Sequence, residues 1–186
     1  IAAERGFFQI ASILINGRAD VTAKDEAGFP PIVSALTECD FNMVKLLVDN
    51  GADLNVRNDE NGMTSLMAAA MKGREKVVHL CLEAGCSVRD IDKDGWTAMH
   101  FAVDGGDLPT VCALLGAGAE VDHAANDGRT PLLMAVRNGN LPVAKVLVAH
   151  GADPKHKSRS GLTACHLAVL GNCPESPVNG ELLQFL

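Results

Sequence analysis

Searching the chain for repeats of itself limits the possible folds more than any other reading of it. A glycine followed at its second position by threonine, or once by proline, stands at Gly28, Gly62, Gly95, Gly128 and Gly161, at spacings of 34, 33, 33 and 33 residues. A second marker keeps the same ruler: Gly51-Ala52-Asp53, Gly85-Cys86-Ser87, Gly118-Ala119-Glu120 and Gly151-Ala152-Asp153, with Arg18-Ala19-Asp20 in phase before them. A unit this short cannot bury an apolar face alone. The chain must stack its units and share one continuous core between neighbours.

Within a unit the pattern reads as helix, turn, helix and extended turn. Thr130 followed by Pro131 is an N-cap and a first helical position where the missing N–H costs nothing. Leu132, Ala135 and Val136 then recur at helical spacing and form one apolar face. Gly139 closes that helix. Val143, Val146 and Leu147 supply the face of a second helix, which Gly151 ends. Ala68, Ala69, Ala102 and Ala135 are small enough to let neighbouring helices approach closely.

The segments "MTSLMAAAMKG", "WTAMHFAVDGG", "RTPLLMAVRNG" and "LPVAKVLVAHG" carry a resemblance to the ankyrin repeat, whose pattern is D-x-x-G-x-T-P-L-H-x-A-A-x-x-G followed by V-V-x-x-L-L-x-x-G-A-D. The resemblance extends over essentially the whole chain. It implies an all-α repeat solenoid: stacked helix-turn-helix units with β-hairpin loops projecting sideways as fingers. The units are expected at about 1–24 (truncated), 25–58, 59–91, 92–124, 125–157 and 158–186 (irregular). Pro30-Pro31 replaces the capping threonine of the second unit, Cys39 replaces its helix-closing glycine, and the turn "NDENG" carries one extra residue. In the last unit, "GNCPESPVNGELLQFL" lengthens the loop between helices by about six residues if Leu182 to Leu186 form the second helix. The ragged first and last units, with Phe7, Phe8, Leu183 and Phe185 near uncapped apolar ends, suggest a piece of a longer protein.

Catalytic and metal sites are not expected. His100 in "TAMH" and His166 in "TACH" fall where the resemblance places a histidine that braces the finger backbone, and no nucleophile or carboxylate recurs beside them. Cys165, next to His166, matches a buried leucine position, which argues against a Cys–His pair. Cys81 and Cys86 match an apolar helix residue and the alanine of Gly-Ala-Asp, and His150 and His156 lack a ligand pair at zinc spacing. "GAGAE" lacks the strand and lysine of a phosphate loop. Asp53, Asp122 and Asp153 suit turns in which the carboxylate accepts from nearby backbone. No cofactor is implied.

A net charge of −7 disfavours nucleic acid, which is held by lysine and arginine. No apolar run is long enough to span a membrane and no signal peptide opens the chain. Six cysteines without a CxxC pair suggest reduced thiols in an intracellular protein, cytoplasmic or nuclear.

What remains is binding of a protein or peptide. The resemblance assigns the concave surface to the residues flanking each finger glycine and to the ends of the first helices. The residues after the glycines are Phe29, Met63, Trp96, Arg129 and Leu162, and a ladder of mostly large apolar groups marks an interaction site; for Trp96 alone, packing of its ring against the next finger is the alternative reading. Around it Glu26, Glu38, Glu60, Asp94 and Asp104 are acidic, interrupted by Lys72 and Lys93, while Arg129, Arg137 and Arg159 make the later units basic. This gradient suits a partner with a positive segment, an apolar anchor and then an acidic segment. The leading expectation is a non-catalytic adaptor or recognition domain. The alternatives are a histone-tail or other basic-peptide reader, for which one tryptophan and no tyrosine give few cage walls, and the regulatory domain of a larger enzyme or channel. Asn55 in "LVDNGADLN" resembles an asparagine hydroxylated in some ankyrin domains, and Ser176 before Pro177 is a minimal proline-directed phosphorylation site.

Overall fold

The computed structural model describes residues 7–26, 30–38 and 40–170, the side chains of Thr37, Glu38 and Leu170 excepted. Phe29, Cys39, Cys173, Ser176 and the expected final loop and helix lie outside the described residues.

Ten helices are described: α1 (Phe8–Asn16), α2 (Pro31–Glu38), α3 (Phe41–Asp49), α4 (Ser65–Met71), α5 (Glu75–Glu83), α6 (Ala98–Gly105), α7 (Leu108–Gly116), α8 (Pro131–Arg137), α9 (Leu141–Ala149) and α10 (Ala164–Leu170). The even-numbered helices are the first of each unit and pack on one another in a row, α2 on α4, α4 on α6, α6 on α8 and α8 on α10. The second helices α1, α3, α5, α7 and α9 form a parallel row behind them, each in contact with the next. The core is therefore one strip running the length of the stack, from Ala11 through Met43, Leu66, Met99 and Leu132 to Ala168.

The helix ends explain why the sequence stops and starts where it does. Asp40 accepts from the Asn42 and Met43 N–H groups at 2.9 and 3.4 Å. Asp107 and Asn140 cap α7 and α9 in the same way at 3.0 and 3.2 Å. Thr130 accepts from Leu133 N–H at 3.4 Å, as the Thr-Pro start predicts. At the far end of each second helix the chain turns through a left-handed residue: Gly51, Gly85, Gly118 and Gly151. After α1 that place falls to Arg18, at φ 65°, where a side chain costs about 1–2 kcal/mol.

The fingers are hairpin turns without strands among the described residues. Each is closed by a wide bond, Asp92 N–H to the Trp96 carbonyl at 3.0 Å, Ala125 to Arg129 at 2.9 Å and Ser158 to Leu162 at 3.0 Å, and by a return bond from the finger glycine N–H to the carbonyl of that first residue, at 3.1, 2.8 and 2.9 Å. In the turn with the extra residue the bond spans one residue more, from Asn58 N–H to the Met63 carbonyl at 2.8 Å, and an isolated bridge joins Arg57 to Thr64. Such short arms cannot build a ladder, so cross-links between fingers supply the order.

One expectation about burial fails. Cys165 is exposed, although Leu66, Met99 and Leu132, its equivalents on the ruler, have no accessible surface. Those three lie on helices covered by the first helix of the following unit, whereas α10 packs on α8 and has no later helix over it among the described ones.

Candidate partner-binding surface

The row of fingers is held by hydrogen bonds that repeat with the unit. Lys93 N–H donates to the Asn61 carbonyl, Asn126 N–H to Asp94 and Arg159 N–H to Asp127, at 2.9, 2.9 and 3.1 Å. Asn126 Nδ2 adds a bond to the Lys93 carbonyl at 2.9 Å, and Arg57 donates to the Ile91 carbonyl. At Gly95 and Gly128 the neighbouring finger is so near that an added Cβ would stand 2.8 Å from Asn126 and 2.6 Å from the Arg159 nitrogen. Glycine is needed there both for the positive φ and for the close approach.

His100 is the brace that the resemblance implies. It is fully buried. Its Nδ1 accepts from the Thr97 N–H at 3.2 Å and lies 2.9 Å from the Thr97 hydroxyl, while Nε2 lies 3.2 Å from the Arg129 carbonyl. This set of partners assigns the neutral tautomer with the proton on Nε2, donating to the next finger. Burial depresses the imidazole pKa to about 4, against the smaller upward pull of the Arg129 carbonyl. A base so enclosed and bonded on both nitrogens has no free position for a substrate proton. His166 keeps the threonine half of the arrangement, 2.7 Å from the Thr163 hydroxyl.

Sequence reasoning missed a second histidine brace. His123 Nε2 reaches back to the Gly95 carbonyl at 3.2 Å and His156 Nε2 to Gly128 at 3.0 Å. The signal was present, since the two histidines stand one repeat apart. Asp122 also does more than a turn residue does. Its carboxylate accepts the Asp153 N–H of the following unit at 3.0 and 3.1 Å, while Asp53 and Asp153 bond locally to Asn55 and Lys155.

The finger-apex residues divide into distinct environments. Trp96 is half-buried, its ring 5.1 Å from Phe101 and 5.9 Å from His100. The Arg129 guanidinium lies over it at 5.6 Å and is anchored to the Asp127 carboxylate at 2.5 Å. Partial burial pushes the Asp127 carboxyl up, but the Arg129 backbone N–H and guanidinium outweigh it and hold the group below its ordinary value. Met63 is different. It lines an open notch of about 100 Å³ with Val33 and Leu36 of α2, Val56 to Asn58 of its own finger, and Thr64, Ser65 and Ala68 at α4. Leu162 is half-buried beside Ser158, whose hydroxyl accepts its N–H at 3.2 Å.

The polar residues assigned to the surface are placed as follows. Glu26, Glu60 and Asp94 are exposed on turns, and Lys72, Asp104 and Arg137 are exposed at the ends of α4, α6 and α8. The side chain of Glu38 is outside the described set, although its backbone ends α2. Asn55 is exposed after α3. No group of His, Cys, Asp and Glu among the described residues could hold a metal ion, and no described helix is long and apolar enough to cross a membrane.

Comparison with known proteins agrees with this architecture. The family model for ankyrin repeats (3 copies) matches residues 43–125 and again 104–176. The Ankyrin repeat and KH domain-containing protein mask of Drosophila melanogaster is 32% identical over 89 residues, which is 47% of this chain and 2% of that protein. With the repeat, the paired helices and the family match in agreement, this chain belongs to the ankyrin repeat family, whose members generally serve as protein–protein interaction modules.

Proposed function

We propose that the chain is a non-catalytic recognition module that holds a protein or peptide segment along its fingers and first helices. The observation carrying this reading is the notch beside Met63: an apolar recess between two first helices and a finger, on a framework already fixed by cross-links. A surface ordered before binding loses little entropy when a partner docks, so a modest recess suffices as an anchor point. The occupant is an apolar side chain flanked by basic residues, because Glu60 and Asp94 are exposed on this finger and the next, and the Arg57 guanidinium at the notch is already engaged by the Ile91 carbonyl. Arg129 contributes less to steering than its charge suggests, being paired with Asp127.

The aromatic-cage form of a basic-peptide reader is the weaker reading. Arg129 already covers the Trp96 ring, so a methylated lysine would have to displace a bound cation. Service as an adaptor, or as the recognition or regulatory domain of a larger protein, is compatible with the same surface. Hydroxylation at Asn55 and phosphorylation at Ser176 remain proposals resting on local sequence.

Peptide display against the whole chain tests the reading. Selected peptides are expected to share an apolar residue beside lysine or arginine, and to lose about tenfold or more in affinity to Met63→Glu. Peptides that bind Met63→Glu as well as the original chain would remove the notch from the site.

A further inference from the structure

The last finger described differs from those before it in charge. Lys155, Lys157 and Arg159 all fall within it, and Asp153 at its root is the only acidic residue between Asp127 and Glu175. The preceding finger carries Glu120, Asp122 and Asp127 and has no lysine or arginine short of Arg129, which is paired with Asp127. The finger before that sets Asp90, Asp92 and Asp94 against Arg89 and Lys93. The row thus leans acidic and turns basic at one end.

Burial alternates along this finger. Lys155, Lys157 and Arg159 are exposed, whereas His156 and Ser158 are half-buried. His156 Nε2 bonds to the Gly128 carbonyl at 3.0 Å, and the Ser158 hydroxyl accepts the Leu162 N–H at 3.2 Å. Alternate side chains of an extended segment lie on one side of it, so the cations share the solvent side. None of the three is in an ion pair among the described residues. The carboxylates nearby are otherwise engaged. Asp153 accepts the Lys155 N–H at 2.9 Å, Asp122 accepts the Asp153 N–H, and Asp127 holds Arg129. The finger is also tied to its neighbour by the Arg159 N–H, which donates to the Asp127 carbonyl at 3.1 Å.

We propose that this finger docks a segment rich in aspartate or glutamate, belonging to the protein that the module recognises. Alternate residues of an extended chain recur at about 6–7 Å. Cations at every second position therefore suit single carboxylates at every second position of an extended peptide. A phosphate group would instead need several donors converging on one point. A membrane or a nucleic acid would bring its anions against Glu120 and Asp122 as well, and the net charge of −7 repels such large anionic surfaces. A short acidic segment can stay on this finger alone. Its register relative to the notch rests on the reading given above for Met63. The first helices α4, α6, α8 and α10 pack in succession between the two places. Packed helices stand about 8–10 Å apart and an extended chain covers about 3.3 Å per residue. The acidic segment is therefore about seven to nine residues from the apolar residue in the notch.

The experiment follows amide resonances of the whole folded chain during titration with hexaglutamate, with hexaglutamine as the uncharged control. Hexaglutamate is expected to shift residues 155–162, and hexaglutamine to shift none. Lys155→Gln/Lys157→Gln/Arg159→Gln changes only exposed side chains and is expected to weaken hexaglutamate about tenfold, at roughly 0.5 kcal/mol for each exposed charge. Shifts that are absent, or that centre on other exposed lysines such as Lys45 and Lys76, would overturn the site. So would phosphatidylserine vesicles that bind through the same three residues more tightly than hexaglutamate. A linked probe, Lys-Leu-Lys joined to hexaglutamate through a Gly-Ser spacer of about eight residues, separates this site from the notch. It is expected to bind the unaltered chain about tenfold or more tighter than hexaglutamate, and Met63→Glu no tighter. A linked probe without that gain would strike the notch reading and the register, while localised hexaglutamate shifts would still support the acidic site.

Discussion

The buried His100 imidazole joins one finger to the next by donating from Nε2 to the backbone carbonyl of Arg129, 3.2 Å away, while its unprotonated Nδ1 accepts from Thr97. Protonation there would set a new N–H against the Thr97 N–H donor, 3.2 Å away. The finger row is therefore sensitive to acid at one defined point.

The folded pKa of His100, about 4, lies below the value near 6.5 of an unfolded histidine. Its stabilising contribution is then complete above about pH 6.5 and is lost as pH falls towards about 4, because only the unfolded chain takes up the proton in that window. The full loss is on the order of 3 kcal/mol. Thermal melts between about pH 7 and pH 5 are expected to fall in the unaltered chain and to fall less in His100→Gln. Equal slopes in the two would mean that another group titrates.

Trp96 is the only tryptophan, so its fluorescence reports the Arg129 contact directly. Arg129→Ala is expected to shift emission to longer wavelength and to cost about 1 kcal/mol in urea unfolding, the sum of a partly exposed cation–π contact and a screened ion pair. An unshifted spectrum would show that the guanidinium does not shield the ring.

Two glycines with similar backbone angles should differ sharply on substitution. Gly139 has φ 69° with nothing within 4 Å of an added Cβ, whereas Gly128 has φ 79° with the Arg159 nitrogen at 2.6 Å. Gly139→Ala is expected to cost about 1–2 kcal/mol for the left-handed conformation. Gly128→Ala should cost clearly more and expose the Arg159 amide to hydrogen exchange, since that N–H is displaced from the Asp127 carbonyl.

Thr110 is fully buried, and its hydroxyl has no partner among the described residues. Its equivalents on the ruler are Met43, Val77 and Val143, all buried and apolar. Thr110→Val keeps the shape and removes the stranded hydroxyl, so it is expected to raise stability by about 1 kcal/mol. A lower melting temperature in that variant would reveal a hidden partner for the hydroxyl.

Much of the fold was legible because a repeat states the same instruction several times. Thr130-Pro131 opened α8, Gly139 and Gly151 closed their helices, and the extra residue of "NDENG" lengthened its turn as read. The surface was less legible. Met63 and Trp96 hold the same place on the ruler, yet one borders an open notch and the other lies beneath Arg129. The difference depends on what the next finger brings across, which neither residue encodes. Cys165 was misjudged for the same reason: its burial depends on the neighbour that covers α10.

The sequence by itself determined the unit, its helix caps and left-handed turns, and the family, because these depend on residues a few positions apart and recur on one spacing. Tertiary structure alone decided that His123, His156 and Asp122 cross-link successive units. It also decided that Arg129 is engaged by Trp96 and Asp127. These are contacts that arise only when distant segments stack or a chain end closes, and their energies depend on burial and on partners that no local pattern specifies.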